Sequence, residues 1–180
     1  MIRCFDSSDI QNVNPTVDPV RDLEIIETEM KLADLESIQK RLEKNNKKNI
    51  DEDQIKILQS CLDLINNDQD LATLKSEFTK KQLNLSGLLS LKPKIFVCNV
   101  DEKSVQKGNG YTKSFLEKFG LENTLIVSAD IENQINELDS EERKNYMEMI
   151  GLKDTGLDML IQKGYKTVSY THLTLPTTHD

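Results

Sequence analysis

The sequence predicts an α/β fold in which helices accompany a small parallel sheet. Short apolar runs at residues 94–99 and 124–127 are each followed by a helical pattern, and strand–helix–strand spacing of this kind favours parallel pairing. The first half of the chain instead carries long stretches of helical periodicity. The 180 residues are 37% apolar, which is enough for a modest core.

The first element is a short buried strand at residues 2–5, which starts without any lead-in. We therefore expect either that the chain begins here or that upstream sequence has been lost. Asp18 and Pro19 are typical of a helix start, and the helix is predicted to run to about residue 44. Two apolar stripes, rotated from each other, predict that its halves pack on different partners. The first stripe is Leu23, Ile26, Met30 and Ala33, and the second is Leu35, Ile38 and Leu42.

A polar turn at residues 45–49 precedes a second helix, which is predicted from Asp51 with Gln54 as its capping-box partner. Its apolar stripe is Ile55, Leu58, Leu62 and Ile65. Two helices joined by a short turn predict an antiparallel hairpin. A third helical stretch is predicted over residues 74–89, before Pro93.

Beyond Pro93, short apolar runs that are typical of strands alternate with helical patterns. After the strand at 94–99 come a Gly/Asn-rich loop at 108–110 and a helix at 111–119, which Gly120 is expected to end. After the strand at 124–127 we predict helices at 129–138, 140–150 and 155–163, the last ended by Gly164.

Residues 168–180 change character abruptly, since they hold both histidines and no Lys or Glu. They resemble a translated adaptor sequence, and we expect a non-native tail. The alternative is a short native strand with a polar end.

Composition limits the partners. A net charge of −8 disfavours a general polyanion-binding surface, so no DNA partner is expected. No apolar run approaches the roughly 18–20 residues that cross a bilayer, and the start of the chain does not have the apolar segment of a secretory signal. Cys4, Cys61 and Cys98 are odd in number and far apart, which predicts reduced thiols and a cytoplasmic location.

Polar and small residues follow the two predicted parallel strands, where ligands of open sheets bind. Asn99 and Glu102 come after the first strand, and Ser128 and Ala129 after the second. An amide offers a donor and an acceptor, whereas a carboxylate only accepts. This set suits the edge of a purine base. The alternative is that Asn99 caps the strand while Asp101 and Glu102 form a solvated turn.

Several blocks of the chain, in order and through most of residues 2–167, resemble the YchF/Obg-like ATPase family of P-loop NTPases. The blocks are IRCF (2–5), VDPVRD (17–22), IIETE (25–29), LADLE (32–36), KP (92–93), NVDE (99–102), ELDSEER (137–143), GLD (156–158) and IQKGY (161–165). The resemblance implies the C-terminal half of a G domain with an inserted helical hairpin. Residues 1–17 would be a G-domain strand and loop, 18–90 the hairpin, 91–167 the rest of the G domain, and 168–180 the non-native tail.

The resemblance also implies a base-recognition motif at residues 99–102. Most GTPases of the superclass have Asn-Lys-x-Asp there, and the Asp accepts two hydrogen bonds from guanine. Here Val100 replaces the Lys and Glu102 replaces the Asp, and the family it resembles prefers ATP. Asn99 or a backbone carbonyl would meet the exocyclic amine of adenine, Val100 would pack on its ring, and Ser128 with Ala129 would close over the base. Phe5 would lie near the base.

Two motifs of the family are absent from the printed sequence. It has no G-x-x-x-x-G-K-[ST] run and no Asp-x-x-Gly in the expected place, and phosphate and Mg²⁺ binding require these groups. The Mg²⁺ site would lie in an upstream part, and the TGS domain would follow the chain. No catalytic residue and no metal ligand is therefore assigned, and the chain alone is expected to be inactive.

Two functions follow. The first is part of a ribosome-associated protein that binds and hydrolyses ATP, with GTP as the alternative substrate. The second is a non-enzymatic hairpin module that binds the ribosome or a protein. A basic cluster near the hairpin tip is a candidate for contact with RNA phosphates, although lysines at a turn more often keep it soluble. Its members are Lys40, Arg41, Lys44, Lys47 and Lys48.

Overall fold

A computed structural model describes residues 1–7, 16–45 and 52–167. For Lys44 and Asn45 it describes the backbone only. The chain divides into two compact units. The first contains residues 1–23 and the chain from Pro93 onward, and the second contains Glu24–Lys92. None of the described helices is long and apolar enough to cross a membrane. The predicted tail at 168–180 lies outside the described residues.

The first unit is built on a three-stranded parallel sheet, which confirms the predicted α/β class. Its strands are β1 (Ile2–Arg3), β2 (Phe96–Asn99) and β3 (Thr124–Val127), in the order β1-β2-β3. β1 is shorter than predicted, although the backbone N–H of Cys4 still donates to the carbonyl of Asn99 at 2.8 Å. All three strands end at the same edge of the sheet.

Side-chain alternation along these strands separates two faces. Ile2 and Cys98, which are register partners, belong to one core with Phe115 of helix α5 (Gly110–Phe119). An aromatic cluster extends this core, with the ring centroids of Phe115 and Phe119 4.7 Å apart. This face of β2 is therefore packed in the core, and the other face carries the odd-numbered residue Asn99.

Four further helices contribute residues to the first unit. Helix α1 (Pro19–Asn45) starts there, and α6 (Ala129–Glu137), α7 (Ser140–Met149) and α8 (Gly156–Thr167) follow β3. The prediction that Gly164 ends the last helix is wrong, because α8 continues to Thr167. A glycine inside a helix costs only about 1 kcal/mol relative to alanine, so it does not by itself stop one.

The second unit contains most of α1 together with α2 (Glu52–Asn66), α3 (Leu74–Glu77) and α4 (Lys80–Ser86). An ion pair of 3.6 Å joins Lys31 of α1 to Asp68 just beyond α2, which is consistent with an antiparallel pair. The core of this unit consists of Ile38, Ile57, Leu58, Cys61, Leu71, Leu74, Leu83 and Leu88. The buried side of α2 is thus centred on Ile57, Leu58 and Cys61 rather than on the whole predicted stripe.

The single helix predicted over residues 74–89 is wrong. The chain leaves the helix at Phe78, and Thr79 then begins α4 with a capping box that Gln82 completes. Gly87, with a φ of 72°, ends α4. A capping box and a left-handed glycine are stronger local signals than the apolar spacing across them.

The first apolar stripe of α1 is also only partly buried. Leu23 is buried, but Ile26 is 41% exposed and Ala33 is exposed. Asp34, which lies next to that stripe, is buried instead, and its carboxylate accepts the backbone N–H groups of Leu89 and Ser90 at 2.8 Å each. The segment after α4 therefore packs on the Asp34 side of α1, which helical periodicity does not reveal.

Candidate functional site

The carboxyl ends of β2 and β3 bring together the two features that the sequence singled out. Asn99 is the last residue of β2 and is the register partner of Val127, which Ser128 follows. The side-chain oxygen Oδ1 of Asn99 accepts the backbone N–H of Ala129, the first residue of α6, at 2.9 Å. This bond fixes the Asn99 amide against the start of the helix.

The other end of the Asn99 amide is available. Within the described part of the chain, Nδ2 of Asn99 donates to no protein acceptor, and the residue is half-buried. A neutral amide carries two donor hydrogens on this nitrogen. Because Oδ1 is held by Ala129, Asn99 presents a donor of fixed direction to any group at this edge.

Ser128 adds a buried hydroxyl beside that amide. It stands at the N-cap of α6 and is 1% exposed, yet its side chain makes no capping hydrogen bond, and Oγ has no partner among the described residues. A buried polar group without a partner costs about 1–3 kcal/mol. This unpartnered hydroxyl, at the start of the same helix that Asn99 contacts, is a candidate partner for a base with polar edges.

Glu102 is exposed and bound to α6 rather than to the β2 end. Its Oε1 accepts Nε2 of Gln134 at 2.5 Å, and the Oε1 of Gln134 accepts the hydroxyl of Tyr146. The preceding Asp101 has a structural role, because it caps the short turn Glu102–Ser104 through the N–H and hydroxyl of Ser104, both at 3.0 Å. The carboxylate of Glu102 therefore has a protein partner on α6.

The structure does not bring Val100 to the site. Its side chain is 2% exposed and packs in the same core as Cys98 and Phe115. The expectation that Val100 packs on a base is corrected for this reason: alternation along the strand directs Val100 to the face opposite Asn99.

Phe5 lies at the same edge of the sheet, directly after Cys4, whose backbone N–H donates to the carbonyl of Asn99. Its ring centroid is 5.0 Å from the guanidinium of Arg3, and its carbonyl accepts Nε of Arg3 at 3.0 Å. Phe5 is half-buried, so part of the ring remains accessible.

Asn109 is a residue of this edge that sequence reasoning missed. Its Nδ2 donates to the carbonyl of Cys4 at 2.6 Å. Its Oδ1 caps the N-terminus of α5 by accepting the N–H of Thr112 at 3.1 Å. It therefore ties the loop after Asn99 to the end of β1. Its position before a helix was a visible capping signal. Gln134 was also missed, and since its partner lies 32 positions away no local signal existed.

Cys4 and Cys98 are buried neighbours across β1 and β2. The hydrogen bond between the two thiols raises the pKa of Cys4, and burial raises it further. Cys4 is thus protonated at neutral pH and unsuited to act as a nucleophile.

The basic cluster is only partly described. Lys40 pairs with Glu36 at 2.5 Å, and Arg41 donates to the carbonyl of Ser86 at 2.5 Å. The Lys40 ammonium lowers the pKa of Glu36. Arg41 is therefore engaged inside its own unit, which does not suit RNA contact. The side chain of Lys44 and the whole of Lys47 and Lys48 lie outside the described residues.

The fold and the site together define a class: an α/β protein whose parallel strands end in a polar edge at the start of a helix, where ligands of open sheets bind. Comparisons with known proteins make this more specific. No family model matches the chain. It is 33% identical over 177 residues to the ribosome-binding ATPase YchF of Escherichia coli O157:H7 and 33% identical over 177 residues to that of Bacillus subtilis. These matches cover 94% and 92% of this chain and 48% of each relative.

Among solved structures, the fold is similar to that of the Schizosaccharomyces pombe YchF GTPase, with a TM-score of 0.63 and 23% identity over 93% of this chain and 48% of that one. The chain belongs to the YchF/Obg-like family, which confirms the resemblance of its motifs. It spans about half the length of the curated relatives that it matches.

Proposed function

We propose that this chain supplies the base-binding part of a ribosome-associated protein that binds and hydrolyses ATP, with GTP as the alternative substrate. The relatives named as ribosome-binding ATPases support this proposal. The observation that carries it is that the fixed Asn99 amide and the buried, unpartnered hydroxyl of Ser128 both lie at the start of α6.

Each residue of the proposed site has a separate role. Nδ2 of Asn99 donates to a ring nitrogen of the purine, and N7 is an acceptor in both adenine and guanine. Ser128 and Ala129 close over the base at the helix start, and the Ser128 hydroxyl finds there the partner that it lacks among the described residues. Phe5 contributes an apolar edge, and Glu102 offers the only carboxylate of the set.

The phosphates and Mg²⁺ of ATP require groups that the described site does not contain. A phosphate cradle needs a glycine-rich run ending in Lys-[Ser/Thr], and the printed sequence has none. We therefore expect this chain by itself to bind nucleotide only in the millimolar range and to release no phosphate from ATP. Calorimetry and a phosphate-release assay on the 180-residue chain test both statements. Micromolar ATP affinity or turnover above background would contradict them.

Ribosome contact is proposed for the helical unit, Glu24–Lys92. Since Arg41 is engaged with Ser86, the test reverses the charge of Lys40, Lys44, Lys47 and Lys48 only. We expect cosedimentation with ribosomes to weaken and its salt dependence to fall. The matched control reverses four exposed lysines elsewhere in the unit, namely Lys56, Lys75, Lys81 and Lys92. Equal pelleting of both variants would remove the basic cluster from the proposal.

A second candidate is a non-enzymatic helical module, and the separate core of the second unit favours it. Under this alternative, Asn99→Ala leaves ribosome or protein binding unchanged, and nucleotide has no influence on it. A glycine-rich phosphate-binding run in the genomic sequence upstream of Met1 would favour the first candidate instead. The cytoplasm is the compartment that either proposal requires.

A further inference from the structure

The contact between Glu102 and Gln134 assigns a role to a residue outside the base-recognition motif. We infer that Gln134 is a positioning residue that reduces guanine recognition by holding the Glu102 carboxylate on α6. This inference rests on the proposed nucleotide site and specifies its base preference.

Asn99 and Glu102 contact the same helix, α6, at positions five residues apart. Asn99 binds the N–H of Ala129, the first residue of α6, whereas Glu102 binds the side chain of Gln134. Five residues of helix correspond to a rise of about 7.5 Å. Glu102 is thus attached more than one turn from the amide that would meet the base.

The orientation of Gln134 is itself fixed. The hydroxyl of Tyr146 donates to Oε1 of Gln134, which leaves Nε2 of the same amide facing the Glu102 carboxylate. If this amide turned over, Oε1 of Gln134 would face the Glu102 carboxylate, and the bond to Glu102 would be lost because a carboxylate only accepts. Tyr146, on α7, therefore acts on Glu102 through Gln134.

The consequence for base recognition follows from the hydrogen-bonding edges of the purines. Guanine presents two adjacent donors, which a freely placed carboxylate accepts together through both oxygens. Adenine presents one amino donor next to a ring acceptor, which repels a second carboxylate oxygen. Because Gln134 holds Glu102 on α6, more than one turn from the contact of Asn99, the two-oxygen grip on guanine is hindered, while an amide donor such as Asn99 serves either purine at N7.

The experiment compares the affinities of AMP and GMP, measured by amide NMR titration of the full 180-residue chain. Gln134→Leu releases Glu102, and we expect the affinity for GMP to rise about tenfold relative to AMP, as gain of a bidentate base contact implies. Tyr146→Phe should shift the ratio in the same direction by less. The control Asn133→Leu alters the neighbouring exposed position of α6 and should leave the ratio unchanged.

The outcomes separate this inference from the proposed function. If Gln134→Leu and Tyr146→Phe keep the wild-type ratio while Asn99→Ala weakens both nucleotides, the role of Gln134 is overturned and the base site stands. If neither nucleotide shifts any amide of the wild-type chain near Asn99, both the site and the role of Gln134 are overturned. Gln134 is exposed, so its replacement is not expected to unfold the chain.

Discussion

The side-chain oxygen of Asn99 lies 2.9 Å from the backbone nitrogen of Ala129, so the end of β2 is joined directly to the first residue of α6. The sequence positions are 30 apart, yet the register of β2 and β3 makes them neighbours. This single bond gives the edge of the sheet its fixed amide donor. It is the relationship on which the proposed base site depends.

Asn109 is expected to hold the same edge together from the other side. Asn109→Ala removes both the cap of α5 and the bond to the Cys4 carbonyl, so we expect the free energy of unfolding to fall by about 1–3 kcal/mol in urea denaturation. Asn109→Asp is the matched control, because it caps a helix equally well but has no donor for Cys4. If the Asp variant is as stable as the wild type, the Cys4 bond contributes nothing.

Asp34 is expected to stabilise the second unit through two buried backbone groups. Asp34→Asn replaces one acceptor oxygen with a donor, which leaves the N–H of Leu89 or of Ser90 without a partner. We expect a loss of about 1–3 kcal/mol in the free energy of unfolding. Glu36→Gln, at an exposed position of the same helix, should cost less than about 0.5 kcal/mol. Equal effects of the two variants would contradict the assigned role of Asp34.

Two glycines are expected to respond to alanine in opposite directions. Gly108 has a φ of 69°, and an added Cβ would lie 2.3 Å from Oγ1 of Thr112, so Gly108→Ala should destabilise the fold by more than about 1 kcal/mol. Gly164 lies within α8 with open space around its Cβ position, so Gly164→Ala should raise stability by about 0.5–1 kcal/mol. Thermal unfolding of both variants measures this contrast, and a stabilising Gly108→Ala would disprove the loop geometry.

Because of Cys61, the free energy of unfolding is expected to fall as the pH becomes alkaline. Burial, aided by the nearby charge of Asp34, raises the pKa of this thiol to about 11 from its ordinary value of 9.0. The folded state therefore keeps a proton that the unfolded state releases above pH 9. This contribution is fully present below pH 9 and is lost as the pH rises through 11.

Urea unfolding of the wild type and of Cys61→Ala, followed from neutral to alkaline pH, isolates that contribution. The variant lacks the thiol, so its stability should fall less steeply with rising pH than that of the wild type. Parallel curves above pH 9 would show that Cys61 does not titrate differently in the two states.

The sequence was sufficient to locate β3 and the end of β2, because both strands are short apolar runs that polar or small residues follow. It was not sufficient to assign side chains to faces. Alternation directs Asn99 and Val100 to opposite sides of the sheet, so both could not line one pocket. The contacts of Gln134 and Asp34 depend on tertiary packing of distant segments, for which a local pattern carries no signal.

The most direct test of the proposed base site is an AMP titration of the labelled 180-residue chain, observed at the backbone amide of Ala129 and the side-chain amide of Asn99. We expect both signals to shift together and to saturate in the millimolar range, and Asn99→Ala to abolish the shift at Ala129. Shifts that are absent from these two amides, or that persist at Ala129 in Asn99→Ala, would contradict a base site at the start of α6.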